Sequence, residues 1–405
     1  MGWEDGGSNP ASYPIGDFPN VELIRHAYWM GEHLLTAAET AWVSERASAL
    51  GFDACGVAPA EEFAELSKYS EWIERGFAGE MKYLHDSRRS DPRNPMPGVR
   101  SLIVCALNYN ADRPYSTQVD FGGDDGVPRG WISRYAWGDD YHEVLWKKLN
   151  LLAAEMRTHF PEPLELRAYA DTGPIHERAA AKYAGLGWLA KNTLLINQSL
   201  GSWFFLGVIL SSLPLTPTLG TADVPPPDRC GTCRRCLDAC PTQAIVEPYV
   251  LDGTRCISYL TIELRGAIPK EFREAIGHHV FGCDICQDVC PWNHKAPTTQ
   301  IPEFQPRAFA GESETESLFL PGLIEIANLS PEQFRETFRG SAIKRTKWQG
   351  LVRNACIALG NARLARGSAS DREVVDAMTR LSHSDDPVIS ESARWALSRI
   401  QAGGD

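Results

Sequence analysis

Eight of the eleven cysteines of this 405-residue chain fall into two runs that each close on Cys-Pro. The first is Cys230-x2-Cys233-x2-Cys236-x3-Cys240-Pro241; the second is Cys256 followed by Cys283-x2-Cys286-x3-Cys290-Pro291. Thiolates two residues apart in a tight turn reach one iron–sulfur cubane, while the fourth cysteine, one residue further on before a proline, turns toward a neighbouring cluster. The spacing predicts crossed ligand sets. Cys230, Cys233, Cys236 and Cys290 would hold one [4Fe–4S] cluster, and Cys240, Cys256, Cys283 and Cys286 the other. Cys256 stands apart because an insertion opens the second run. A structural zinc needs only four sulfurs and leaves the paired Cys-Pro endings unexplained, and a disulfide framework suits small exported domains. Cys55, Cys105 and Cys356 lie in apolar settings and are read as small hydrophobes without chemistry.

Two clusters conduct electrons, and the reaction must be sought elsewhere. No G-x-G-x-x-G dinucleotide element and no P-loop is found. What stands out is Tyr169-Ala-Asp171-Thr172-Gly-Pro174-Ile-His176-Glu177-Arg178, continued through Ala184-Gly-Leu-Gly187-Trp188-Leu-Ala-Lys191-Asn192-Thr193. Here a strand ends in an acid, a helix opens at Pro174, and a glycine-closed turn leads to a cationic and amide-bearing segment, with Lys191, Asn192 and Thr193, before the next strand. The plainer alternative is that Asp171 or Thr172 caps that helix.

These residues must be positioned by an α/β region over 30–220. Strand patterns run over 101–109, 165–170, 193–197 and 203–210; helical ones start around Leu34–Val43 and recur over 143–158 and 174–186. A proline-bearing connection, Thr216 to Asp228, leads into a ferredoxin-like two-cluster domain over 221–300. Residues 301–405 turn helical, with helices led by 350–355 and spanning 387–400, in a texture like HEAT repeats. Residues 1–29 are rich in Gly, Pro, Ser and Asp and lack an apolar targeting core, so they read as a disordered leader. The longest apolar run, 203–215, falls short of the roughly 20 residues a membrane span needs. A cytoplasmic monomer without membrane contact is expected. The net charge of −12 argues against indiscriminate nucleic-acid binding, but Arg339, Lys344, Arg345, Lys347 and Arg353 gather five positive charges with no acid between Phe338 and Arg353.

At these motifs the chain resembles the epoxyqueuosine reductases, cobalamin-dependent iron–sulfur enzymes of tRNA queuosine synthesis. The resemblance is carried by Gly79-Glu-Met81-Lys-Tyr83-Leu84, Asp91-Pro-Arg93, Ser133-Arg-Tyr135 through Asp140-Tyr141-His142, Asp171-Thr172-x-Pro174, Lys191-Asn192-Thr193, both cysteine runs and Leu351-x-Arg353-Asn354-Ala355. It covers about residues 30–365. It implies a cobalamin between the N-terminal domain and the nearer cluster, with Met81, Tyr83, Tyr135, Asp171, Arg178, Lys191, Asn192 and Thr193 around it. Asp171 would be the proton donor, its pKa raised by burial against the corrin. It further implies tRNA as substrate, met by Lys344, Arg345, Lys347, Arg353 and Asn354, and an external low-potential electron donor. Asp140-Tyr-His142 is not followed by the glycine of the Asp-x-His-x-x-Gly motif, so no histidine is expected on cobalt. A reductive dehalogenase also pairs cobalamin with two clusters, but a twin-arginine leader and the absence of a basic helical tail would mark it. A non-catalytic electron carrier or RNA-binding module would leave the N-terminal domain without a task.

Overall fold

The computed structural model describes residues 37–122, 126–161, 163–219, 225–309 and 317–402. The leader expected over 1–29, Leu34 and Leu35 of the first helical pattern, and part of the connection after Thr216 lie outside these residues.

The N-terminal region is built in the order α1 (Ala37–Ala49), β1 (Ala54–Pro59), β2 (Ser101–Asn108), α2 (Tyr141–His159), β3 (Leu166–Tyr169), α3 (Glu177–Tyr183) and β4 (Phe204–Ser211). The expected alternation of helix and strand is present. Every strand pairing in the sheet is antiparallel, in the order β1-β2-β4-β3, so this is not a doubly wound parallel sheet. The residues expected to form a strand over 193–197 make a two-residue pairing, Leu195–Ile196 against Trp188–Leu189, and a single bridge from Asn197 to Gly201.

The apolar run of β2 is buried along its whole length, and its period of two sorts it between two cores. Ile103, Cys105 and Leu107 face a core completed by Leu145, Leu149, Leu152 and Met156 of α2. Leu102, Val104 and Ala106 face a second, completed by Ala179, Ala180 and Ala181 of α3. Close helix approach depends on glycine. A Cβ on Gly56 would lie 2.3 Å from the Ala184 carbonyl oxygen at the end of α3, and one on Gly207 would lie 2.7 Å from Leu149.

The cysteine module folds around short helices. α4 (Arg235–Ala239) follows Cys233, α5 (Ile257–Ile262) follows Cys256, and α6 (Ile285–Asp288) carries Cys286. It is continuous with its neighbours. Trp131–Ile132 pairs in parallel with His279–Phe281, and one core joins Trp131, Ile132 and Trp137 to Val280, Phe281 and the C-terminal helices. Those helices include α7 (Lys347–Asn361), α8 (Ala369–Leu381) and α9 (Pro387–Ala402). The boundaries expected near 220 and 300 are therefore crossed by shared packing. No helix among the described residues is long and apolar enough to cross a membrane.

Candidate active site and iron–sulfur module

A cavity of about 970 Å³ opens at the end of the sheet where β2 finishes, β4 begins and β3 runs into Asp171. Tyr135, Tyr141, Asp171, Glu177, Arg178, Asn192 and Thr193 line it on the N-terminal side. Cys240, Cys256, Cys283 and Cys286 of the cysteine module line it as well. The structure thus brings one predicted ligand set, four residues drawn from both cysteine runs, to the cavity wall.

The other four cysteines gather away from it. Burial first, and the neighbouring Cys290 and Cys230 next, push the Cys236 thiol up to about 11. Cys290 is likewise raised, by burial and by the charges of Cys230 and Cys233. On the cavity side, Cys286 is raised by burial and by Cys256, Cys236 and Cys240. Buried thiols crowded in this way resist ionisation unless a cation neutralises them, which iron does. Among the described residues no three potential ligands converge on a single-ion site. A cubane, whose irons are spread over several ångströms, does not require such convergence.

Two predicted cofactor residues serve these cysteine loops. Lys191 donates from Nζ to the carbonyl oxygens of Gly231 (2.5 Å) and Cys233 (3.0 Å), and the buried Asn192 donates from Nδ2 to the Cys286 carbonyl oxygen (3.2 Å). Lys191 is not among the cavity-lining residues. Asp284, next to Cys283, accepts from Trp131 Nε1 (3.0 Å), the Arg134 N–H (2.8 Å) and the Ser133 hydroxyl, which ties the second run to the N-terminal domain. No spacing in the sequence pointed to that link.

Asp171 lines the cavity with φ 61°, and the N–H of Thr172 donates back to the Ala170 carbonyl oxygen at 2.7 Å. It is not a helix cap: α3 begins at Glu177, and the residue before it, His176, makes no capping bond. The Pro174 start expected from the sequence fails because the Thr172–His176 stretch is taken up by the turn that delivers Asp171. The Tyr141 hydroxyl donates to Asp171 Oδ2 at 2.7 Å, and His142 Nε2 lies 3.4 Å from the same oxygen. Asp140 caps α2, accepting from the His142 N–H at 3.2 Å, and its Oδ1 lies 2.6 Å from His142 Nδ1. Lys344 Nζ sits 2.8 Å from Asp140 Oδ2.

These contacts decide the charges. Burial alone would raise the Asp171 carboxyl, as expected, but bonds from His142 and Tyr141 and the charge of Arg178 hold it below the ordinary carboxylate range. Although ringed by protein, its side chain keeps 58% of its surface open, which fits an acid facing a cavity rather than a sealed core. Burial likewise disfavours the His142 cation, but Asp140 and Asp171 outweigh it and push the imidazole up to about 9. Glu177 goes the other way: burial, then the charge of Asp171, raises it to about 8. The buried Nε2 of His176, also on the cavity, has no hydrogen-bond partner.

Several predicted contacts lie elsewhere. Met81 packs among Ile257, Tyr259 and Leu260 and is not among the cavity-lining residues. Tyr83 stands exposed outside it, with the Arg345 guanidinium 5.4 Å and that of Arg89 5.9 Å from its ring centre. Arg353 and Asn354 are fully buried, so neither can face RNA. Arg353 donates to the carbonyl oxygens of Leu260, Leu264 and Gly266, and Asn354 to those of Thr261 and Val280. Both staple α7 to the cysteine module. Of the basic stretch, Arg339, Lys344, Arg345 and Lys347 are exposed, with Arg345 held by Glu263 at 2.9 Å.

Comparison with known proteins agrees with this geometry. A family model described as epoxyqueuosine reductase QueG, DUF1730, matches residues 89–172, and a 4Fe-4S double cluster binding domain matches residues 229–293. The epoxyqueuosine reductase of Pseudomonas aeruginosa is 39% identical over 86% of this chain and 91% of its own length. That of Gloeobacter violaceus is 43% identical over 80% and 97%. A crystal structure of epoxyqueuosine reductase with an epoxyqueuosine-modified tRNA-Tyr stem loop superposes with a TM-score of 0.74 at 32% identity, covering 90% of each chain. With both cysteine runs, the acid-bearing turn and the surrounding fold matched over nearly the full length of these relatives, the chain belongs to the epoxyqueuosine reductase family.

Proposed function

We propose that this protein reduces epoxyqueuosine to queuosine at the wobble position of tRNA, with Asp171 as proton donor and two [4Fe–4S] clusters supplying electrons. One observation carries the proposal: Asp171 and the cysteines Cys240, Cys256, Cys283 and Cys286 line one and the same cavity. Converting an epoxide to an alkene removes one oxygen as water and consumes two electrons and two protons. A site for this reaction must therefore bring an electron source and an acid to the same carbon–oxygen bond. The lining of this cavity supports cobalamin as the group bound there. The cavity, at the upper end of the range for small-molecule sites, has aromatic walls in Tyr109, Tyr135 and Phe204, polar groups in Asn192 and Thr193, and the unpartnered His176 nitrogen. When bound there, cobalamin would supply a low-potential metal reductant. Tyr135, Arg178, Asn192 and Thr193 would hold it, and Lys191 would support the loops of the outer ligand set.

Asp171 would present its proton to the departing epoxide oxygen, oriented by Tyr141 and backed by His142, the two groups that touch its carboxylate. Arg339, Lys344, Arg345 and Lys347 would meet the tRNA backbone, with Tyr83 beside them as a surface on which a base can stack. Lys344 reaches the site through Asp140, which bonds to His142 beside Asp171. The C-terminal helices would then serve as a HEAT-like RNA-binding element. An external low-potential donor would reduce the outer cluster, held by Cys230, Cys233, Cys236 and Cys290. The protein would act as a cytoplasmic monomer.

The test is anaerobic turnover of an epoxyqueuosine-bearing tRNA stem loop by cluster-reconstituted protein with cobalamin, read by nucleoside mass analysis. Product should require cobalamin, and Asp171→Asn should lower the rate by about 10²–10⁴-fold at unchanged iron content. Full iron and bound corrin without product from the wild type would overturn the assignment and point to organohalide substrates.

A further inference from the structure

We infer that Glu177 is a positioning residue that holds Asp171 in the cavity by accepting a hydrogen bond from its backbone. The inference rests on the proposed role of Asp171.

Asp171 is a non-glycine residue at φ 61°, pivoting a three-residue turn closed from the Thr172 N–H to the Ala170 carbonyl oxygen at 2.7 Å. L-residues adopt this backbone region at a cost, and hold it only where the surroundings impose it. The imposing contact is specific. Glu177 Oε1 accepts from the Asp171 N–H at 2.8 Å, closing a ring over the residues between them.

The Glu177 side chain is a firm support because its helix is anchored. Glu177 opens α3, and Ala179, Ala180 and Ala181 of that helix are buried against the sheet. The other end of Asp171 is held from a different element, by the Tyr141 hydroxyl on α2 at 2.7 Å. Without Glu177, the Asp171 N–H loses its acceptor and the turn has one reason fewer to keep its left-handed pivot. The ionisable groups around Glu177 include Asp171, Arg178, Arg89 and Tyr141 of α2. Raised to about 8 by burial and then by Asp171, the Glu177 carboxyl is neutral near pH 7, and so it fixes the turn without setting a second negative charge against the acid. A glutamine would offer the same acceptor oxygen without the ionisation; an alanine would offer nothing.

Wild type, Glu177→Ala and Glu177→Gln should be compared as cluster-loaded, cobalamin-bound protein in the turnover assay, together with amide hydrogen exchange over residues 166–183. Glu177→Ala should lose about 100-fold in kcat with KM for the tRNA stem loop unchanged, because the acid is misplaced and RNA contacts are not. Exchange over 170–176 should accelerate in the same variant. Glu177→Gln should restore both the rate and the slow exchange. Wild-type kcat and exchange in Glu177→Ala would overturn the inference, as would Glu177→Gln failing as badly as alanine, since acceptance from the Asp171 N–H would then not be the role. If the wild type makes no queuosine, the functional reading falls, while the exchange comparison still decides whether Glu177 holds the turn.

Discussion

His142 Nε2 stands 3.4 Å from the carboxylate of Asp171, which lines the cavity. A general acid near neutrality needs its proton, yet Asp171 is held below the ordinary carboxylate range, while His142 beside it is pushed up to about 9 against its burial by Asp140 and Asp171. Strongly interacting groups of this kind titrate as a unit, and the pair retains a proton at pH 7 whichever partner carries it. Covering the cavity with a ligand removes water and favours the neutral arrangement, in which Asp171 is protonated. Because the folded-state pKa of His142 is raised, its charge stabilises the fold fully below the ordinary imidazole value, and that contribution is lost as pH rises through about 9. Ring-proton NMR of the cobalamin-free protein should find His142 titrating well above the unperturbed value of about 6.5, and Asp140→Asn should move it back down. A wild-type value at or below the unperturbed one would remove the pair as the proton store.

At the scale of elements, the turn that carries Lys344 and Arg345 and the helix α7 that follows do different jobs although their cations are close in sequence. The turn puts Lys344 on Asp140 and Arg345 on Glu263 and over Tyr83, beside the cavity. Inside α7, Arg353 spends its guanidinium on backbone carbonyls of the cysteine module, with its pKa lowered to about 10 by burial. Lys347→Ala should leave thermal stability unchanged, weaken binding of a tRNA stem loop, and reduce the slope of log K against log salt by about 1. Arg353→Leu should instead lower stability by about 3 kcal/mol, since buried carbonyls and Asn354 lose their donor. Equal losses of RNA affinity in the two variants, with no change in melting, would contradict the division.

Across the whole molecule, the cysteine module is not an appended cartridge. The packing of Trp131, Ile132, Val280 and Phe281 with the C-terminal helices, the Asp284 bonds to Ser133 and Trp131, and the Asn354 bonds to Thr261 and Val280 tie the three regions together. With the eight thiols as the proposed cluster ligands, metal binding would be linked to the folding of the entire chain. Removing iron with a chelator should lower the melting temperature of the whole protein in one transition, monitored together by near-ultraviolet dichroism and by tryptophan fluorescence. A cluster-free protein whose N-terminal sheet melts at the holoprotein temperature would show the regions to be independent.

Chemistry written as local spacing was determined by the sequence alone. The Cys-Pro runs, the buried apolar strand of β2 and the acid at the end of β3 depend on near neighbours and on periodicity, and each is found where the pattern placed it. The connection between the two cysteine runs and Asp171 was legible only through resemblance, because nothing in their spacing says that they share a cavity. What tertiary structure decided were questions of direction and burial. Antiparallel pairing, the loss of Arg353 and Asn354 to the interior, the turning of Lys191 toward Gly231 and Cys233, and the part of Glu177 all follow from contacts between residues distant in sequence or from the path of one turn. An arginine flanked by apolar residues reads the same whether its partners are phosphates or backbone carbonyls, and the difference is made by what the folded chain brings against it.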